Sequence, residues 1–182
     1  MQPFLHSSKT LILHCVALLA TGALHAAPVI NEIHYNNDLN YIATEFIELH
    51  NPGPEAVALT GWKLAGGIDF TFPENSLLEA GAYVVVAENP AILRSEFSSP
   101  TVDLRVVGPY AGGLSGEGET IELIDNSGER IDRVSFDIDF PWPIAADGAG
   151  SSMELIHPDL DNDLGSSWRS SSNNGALGPP TL

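Results

Sequence analysis

Beyond residue 28 the chain is a series of short runs in which apolar and polar side chains alternate, separated by Gly, Pro, Asn and Asp. Successive side chains of a strand point to opposite faces, so such runs predict half-buried strands, and many in series predict a sandwich or barrel. The first run, residues 29–35 (VINEIHY), places Val29, Ile33 and Tyr35 on one face. The second, 44–50 (TEFIELH), turns Ile47 and Leu49 inward and Glu48 and His50 outward. It stops at 51–54 (NPGP), where two prolines cannot continue a ladder. Runs 57–64 (VALTGWKL) and 68–72 (IDFTF) follow, with Ile68, Phe70 and Phe72 on one face. Trp62, in the middle of the former, has the size to fill the space between two sheets.

Residues 82–87 (AYVVVA) form a continuous apolar run, long enough for a strand buried on both faces and too short for a helix. The one helical candidate is 90–97 (PAILRSEF), with Asn89 as its cap and Pro90 in the first turn, expected to cross one end of the sandwich. Runs 120–125 and 129–136 flank Asn126, Ser127 and Gly128, a hairpin signal, and the alternation breaks between Ile131 and Val134, which predicts a bulge. The run 152–157 (SMELIH) is the last strand expected. From Gly165 the composition turns Ser-, Asn- and Gly-rich, which predicts a domain over 27–165 and a loosely held tail over 166–182.

Read in order, these segments resemble the lamin-tail domain as it occurs in exported bacterial proteins. The resemblance is carried by 30–33 (INEI), 45–53 (EFIELHNPG), 59–64 (LTGWKL), 70–73 (FTFP), 80–87 (AGAYVVVA), 114–123 (LSGEGETIEL), 141–143 (PWP), 146–150 (ADGAG) and 152–155 (SMEL). No single segment is diagnostic; their order is. The resemblance implies an all-β, immunoglobulin-like sandwich with one short helix in a connection. It also implies a non-catalytic module of the kind that binds, tethers or accompanies enzymes outside the cell. The family's usual Gly-Thr-Pro-Gly close is replaced here by 175–180 (GALGPP).

Composition narrows the setting. The first residues carry Lys9, then the apolar stretch 10–20 (TLILHCVALLA) and the small residues 21–27 (TGALHAA), which together predict a signal peptide over 1–26, cut after Ala26. A membrane anchor needs about 20 continuous apolar residues, more than this stretch supplies. Cutting there removes Cys15, the only cysteine, and with it any disulfide or thiolate metal site. The expected location is therefore secreted or periplasmic, with no membrane anchor after cleavage. A formal net charge of −17 disfavours nucleic acid, whose phosphates need clustered Lys and Arg. With 43% hydrophobic residues the chain is nonetheless globular rather than an acidic disordered tail.

Catalytic signatures are scarce. A nucleophile elbow needs Gly-x-Ser-x-Gly, and 113–117 (GLSGE) fails at its last position. Residues 116–118 (GEG) precede a strand and carry negative charge, unlike a phosphate loop that opens a helix. His34, His50 and His157 fall near strand ends, so a shared zinc or acid–base site requires those strands to be neighbours. Glu45, Glu48, Asp137 and Asp139 are the carboxylates most like a general acid/base pair, but Glu45 and Glu48, three apart, cannot share a strand face.

Two local features invite a ligand. Asp159, Asp161 and Asp163 alternate in a loop, hard oxygen donors at a spacing that suits a structural calcium, although an EF-hand would need Gly and Glu where Leu164 and Ser170 stand. The alternative is a solvated acidic loop. Trp142, held between Pro141 and Pro143, is a candidate partner-binding residue that would stack on a sugar or a partner's groove; alternatively it folds back to plug an end of the sandwich. Trp168 reads as an anchor for the final segment. The sequence thus points to an exported binding, adhesion or scaffolding module with a protein or polysaccharide partner. A calcium-dependent binding module and an orphan hydrolase are the competing readings.

Overall fold

The computed structural model describes residues 27–36, 44–96 and 105–171, which form an immunoglobulin-like all-β sandwich. The six-stranded sheet is built from β1 (Val29–His34), β2 (Phe46–His50), β7 (Tyr83–Ala87), β8 (Val106–Val107), β12 (Met153–Leu155) and β13 (Trp168–Ser170), in the order β13-β12-β1-β2-β7-β8. All neighbours are antiparallel except β7 and β8. The facing sheet contains β4 (Lys63–Ala65), β5 (Ile68–Thr71), β9 (Ala111–Gly112), β10 (Glu119–Ile124) and β11 (Arg130–Phe136), in the order β11-β10-β4-β5-β9. A small ladder of β3 (Val57–Ala58) with β6 (Leu77–Leu78) completes the described strands.

Alternation fixes which side chains enter the core. Ile47 and Leu49 of β2, Val84 and Val86 of β7, Leu64, Phe70, Ile121 and Leu123 of the facing sheet, and Met153 and Leu155 of β12 belong to one buried cluster. In β1 the period slips: the β1–β2 register shifts between Ile30 and Glu32, so Ile30, Ile33 and Tyr35 point inward and Val29 is only partly buried. The bulge on β11 falls at Ile131, because Asp132 pairs with Leu123 and Arg130 with Ile124. The β10–β11 turn is the expected hairpin, with Gly128 at φ 89° and Asp125 Oδ1 accepting the amides of Ser127 and Glu129, each at 2.8 Å.

Three expectations need correction. Trp62 packs against the main core cluster, but it lies just before β4 rather than inside a strand and is only partly buried. The helix α1 (Pro90–Glu96), capped by Asn89 Oδ1 on the amides of Ala91 and Ile92, does not close an end of the sandwich. Instead Leu93 joins Phe46, Val85, Ala87 and Val106 in a second cluster on the outer face of the six-stranded sheet. The run at 152–157 is not the last strand: β13 pairs with β12 through Met153–Ser170, Glu154–Arg169 and Leu155–Trp168. The boundary expected at 165 therefore falls inside the sandwich, and Ser171 still bonds to Ser152. The expected signal peptide over 1–26 and the rest of the tail, 172–182, lie outside the described residues.

Candidate functional site

The loop after β11 decides where the aromatic and apolar side chains go. Asp137 Oδ1 accepts the amides of Ile138 and Asp139 at 2.7 and 3.3 Å, and the Trp142 amide donates to Asp139 O at 3.0 Å, so the chain doubles back at once. Trp142 is thereby turned inward, 8% exposed, with its ring centroid 6.2 Å from that of Trp168. It plugs the sandwich and is not the exposed ring of this loop. Its backing is tight: a Cβ placed on Gly165 would lie 2.9 Å from both Cγ and the backbone nitrogen of Trp142. Around this contact the chain leaves Phe140 at 91% exposure, Ile144 at 73% and, on the strand of chain across it, Leu164 at 53%. Ile156 and Leu160 are exposed in the same excursion, so five of the six exposed large hydrophobics among the described residues fall between 140 and 164. Apolar exposure is thus concentrated in one stretch rather than scattered.

The acidic loop that follows is built into the sandwich. Asp132 Oδ2 accepts the Ile30 amide at 2.6 Å and Asn162 Nδ2 at 2.8 Å, while Asn162 Nδ2 also reaches Ile30 O at 3.3 Å. The peptide groups flanking the β1 bulge, which the ladder cannot satisfy, are satisfied by these two side chains. Trp168 Nε1 donates to Asn162 O at 2.8 Å, so the anchor holds the loop as well as β13. Asp163 Oδ1 accepts the Ser135 amide at 2.6 Å, and its Oδ2 lies 3.3 Å from Arg133 Nη1. Because β11 is an edge strand, this carboxylate covers an amide that an edge would otherwise offer to another chain.

The other two candidate calcium ligands are placed differently. Asp161 Oδ1 accepts the Asp163 amide at 3.0 Å, and Asp159 Oδ2 is 3.7 Å from His157 Nδ1. Among the described residues no three His, Cys, Asp or Glu side chains converge on a point that could hold a metal ion.

The histidines and carboxylates separate likewise. His34 pairs with Phe46 and His50 with Val29, so the two sit at opposite ends of the β1–β2 ladder, about 13 Å apart at strand spacing, while His157 is exposed beyond β12. Glu45, partly buried, accepts Leu114 N at 2.7 Å and the Tyr110 hydroxyl at 3.0 Å; Asp137 and Asp139 are exposed. Glu48 lies on the outer face as expected, yet it is fully buried. Its cross-strand neighbours are Glu32 on β1 and Val85 on β7, and Glu32 in turn pairs with Glu154 on β12. Three glutamates thus stand side by side across three strands. Burial holds the carboxyls of both Glu32 and Glu48 well above the usual carboxylate range, Glu48 up to about 8. A shift in this direction favours the protonated carboxyl, and the row brings no nucleophile, base and oxyanion site together.

Sequence reasoning did not find the exposed Phe140, Ile144 and Leu164 or the glutamate row. The row had a signal, since Glu32 and Glu48 both interrupt apolar runs two residues from a histidine. What alternation alone could not supply is that an outward-facing strand residue can still be buried.

A family model described as Lamin Tail Domain matches residues 23–137, more than half of the chain. The match ends where β11 ends, before β12 and β13, so two strands of the six-stranded sheet and the whole 140–164 excursion lie beyond it. No curated protein matches the sequence. With the family model covering more than half of the chain and an all-β sandwich consistent with it, the chain belongs to the lamin tail domain family.

Proposed function

We propose that this protein is an exported, non-catalytic module that binds a protein or polysaccharide partner at or outside the cell envelope, through the surface between residues 140 and 164. Membership of a non-enzymatic, immunoglobulin-like family and the sandwich itself are compatible with a non-catalytic module. The apolar leader sequence supports export, and the charge of −17 argues against a nucleic-acid partner. The observation that carries the reading is the exposure of Phe140, Ile144 and Leu164 around the Trp142–Gly165 contact. Large exposed apolar side chains flanking a buried aromatic pair are a usual composition of a binding anchor.

The test uses the chain from Ala27 onward, wild type and Phe140→Ser/Ile144→Ser, against arrays of envelope polysaccharides and surface proteins. The double variant should keep the wild-type unfolding midpoint, since neither side chain is in the core, and weaken binding about tenfold or more. Equal binding by the variant, or sustained turnover of any arrayed compound, would overturn the reading.

A further inference from the structure

The outer face of β1, β2 and β12 buries carboxyl side chains where the outer face of a sandwich ordinarily leaves them in water. Arg169, Glu154, Glu32 and Glu48 occupy consecutive cross-strand positions on β13, β12, β1 and β2, and the row ends on Val85 of β7. Glu32 and Glu48 are both 0% exposed. Among the described residues one cation meets the row: Arg169 Nε, 3.1 Å from Glu154 Oε2. One oxygen of each inner glutamate is satisfied, Glu32 Oε1 by the Ser152 hydroxyl at 2.5 Å and Glu48 Oε1 by Asn31 Nδ2 at 2.9 Å. The second oxygen of each, Oε2, is buried without a hydrogen-bond partner.

Among the described residues, the other titratable groups packed near this face supply no positive charge to them. From β1 comes His34, whose Nδ1 is spent on Thr44 O at 3.1 Å and whose ring is kept neutral by burial. From β2 and β7 come His50 and Tyr83, stacked on each other at 4.2 Å; burial disfavours the charged form of both. Arg94 of α1 donates to Val106 O at 2.6 Å, and Arg105 donates to Leu77 O.

Two ionised carboxylates on opposite positions of an antiparallel pair, with Cβ atoms about 5 Å apart and no cation of their own among the described residues, would repel each other inside a buried sheet. We propose that Glu32 and Glu48 hold at least one proton between them in the folded domain at neutral pH, and that its release to solvent loosens β1 from its neighbours. The step is simple dissociation: the neutral carboxyl loses H⁺ to water and the pair gains one negative charge. The fold then carries a proton-sensitive seam in the sheet that β12 and β13 complete.

The direction follows from linkage. Below the ordinary carboxyl value of 4.5, folded and unfolded chains both hold the Glu48 proton; between 4.5 and about 8 only the folded chain does; above about 8 neither does. Stability from this group is therefore fully present in acid, falls as pH rises through that window and levels off above it.

The test compares thermal unfolding of the full chain at about pH 5 and about pH 8, values chosen to bracket that window. The variants are Glu48→Gln, which keeps an acceptor for Asn31 without a titrating group, and the exposed Glu74→Gln as a control for net charge. The proposal expects Glu48→Gln to melt several degrees above wild type at the higher pH and to lose that advantage at the lower one, with Glu74→Gln tracking wild type at both. The wild-type chain labelled at the glutamate carboxyl carbons gives a reading that needs no variant: at least one glutamate should titrate near neutral pH or above. Parallel melting profiles, or all glutamates titrating in the ordinary range, would overturn the proposal. So would zinc or calcium restoring the high-pH midpoint of wild type but not of Glu48→Gln, since that marks the pair as a cation site.

Discussion

Replacing Asp132 by Ala removes the side chain that joins the two sheets at the β1 bulge. Asp132 accepts three hydrogen bonds, from Ile30 N at 2.6 Å, Asn162 Nδ2 at 2.8 Å and Arg133 N at 2.8 Å. Ile30 is fully buried, so its amide is left without a partner, which costs about 1–3 kcal/mol. Hydrogen bonds to a charged acceptor contribute about 1.5–3 kcal/mol each, but burial of the Asp132 carboxylate, visible in its raised pKa, offsets part of that. The net expectation is a loss of about 3 kcal/mol, or roughly 6–12 °C in midpoint for a domain of this size. Asp132→Asn keeps the shape and one oxygen but turns an amide donor toward a backbone donor, and should lose about half as much. The assay is urea unfolding of the full chain with midpoint and slope fitted separately, so that a change in slope reveals loss of cooperativity. Asp132→Ala within about 0.5 kcal/mol of wild type would refute the role assigned to Asp132 and to the loop bound to it.

Two further outcomes follow from the same geometry. Asp163→Ala, which uncovers the Ser135 amide on the β11 edge and removes the partner of Arg133, should lower stability by about 1–2 kcal/mol and favour self-association, equally in calcium and in chelator. A calcium-dependent midpoint that disappears in Asp161→Ala would instead make the loop a metal site. Gly165→Ala forces a methyl group to within 2.9 Å of Trp142 and should destabilise by about 1–3 kcal/mol, with a shift in tryptophan emission as the ring moves toward water.

What could be read from the sequence was set by how local the deciding physics is. The strand at Tyr83–Ala87, the Asn89 cap and the Gly128 hairpin depend on neighbours within a few residues, and pattern reasoning located each. The strand Trp168–Ser170 was hidden because a Ser-rich three-residue run shows no apolar alternation; its pairing comes from β12 and from the Trp168 indole on Asn162. The size of Trp62 points to the core, and the ring does pack against it, yet Leu64 and Phe70 take the buried positions and Trp62 stays partly exposed. The aspartate loop suggested a cation because spacing was visible; that Asp163 would face Arg133 and the Ser135 amide depends on how a loop crosses an edge strand 28 residues away. Which of the two readings of Trp142 holds was not legible for a similar reason, since the turn at Asp137 and the bare Gly165 decide that this ring enters the core while Phe140 stays outside.

The segment after residue 137, beyond the family match, is an integral part of the sandwich, and the proposed binding surface lies on it. Native-state hydrogen exchange of the full chain, read segment by segment, tests this most directly. The amides of β12 and β13 should open only with the global unfolding of β1, β2 and β7, at the same free energy. Fast exchange throughout 138–171 while 27–137 stays protected would show the matched region folding alone and would contradict the account.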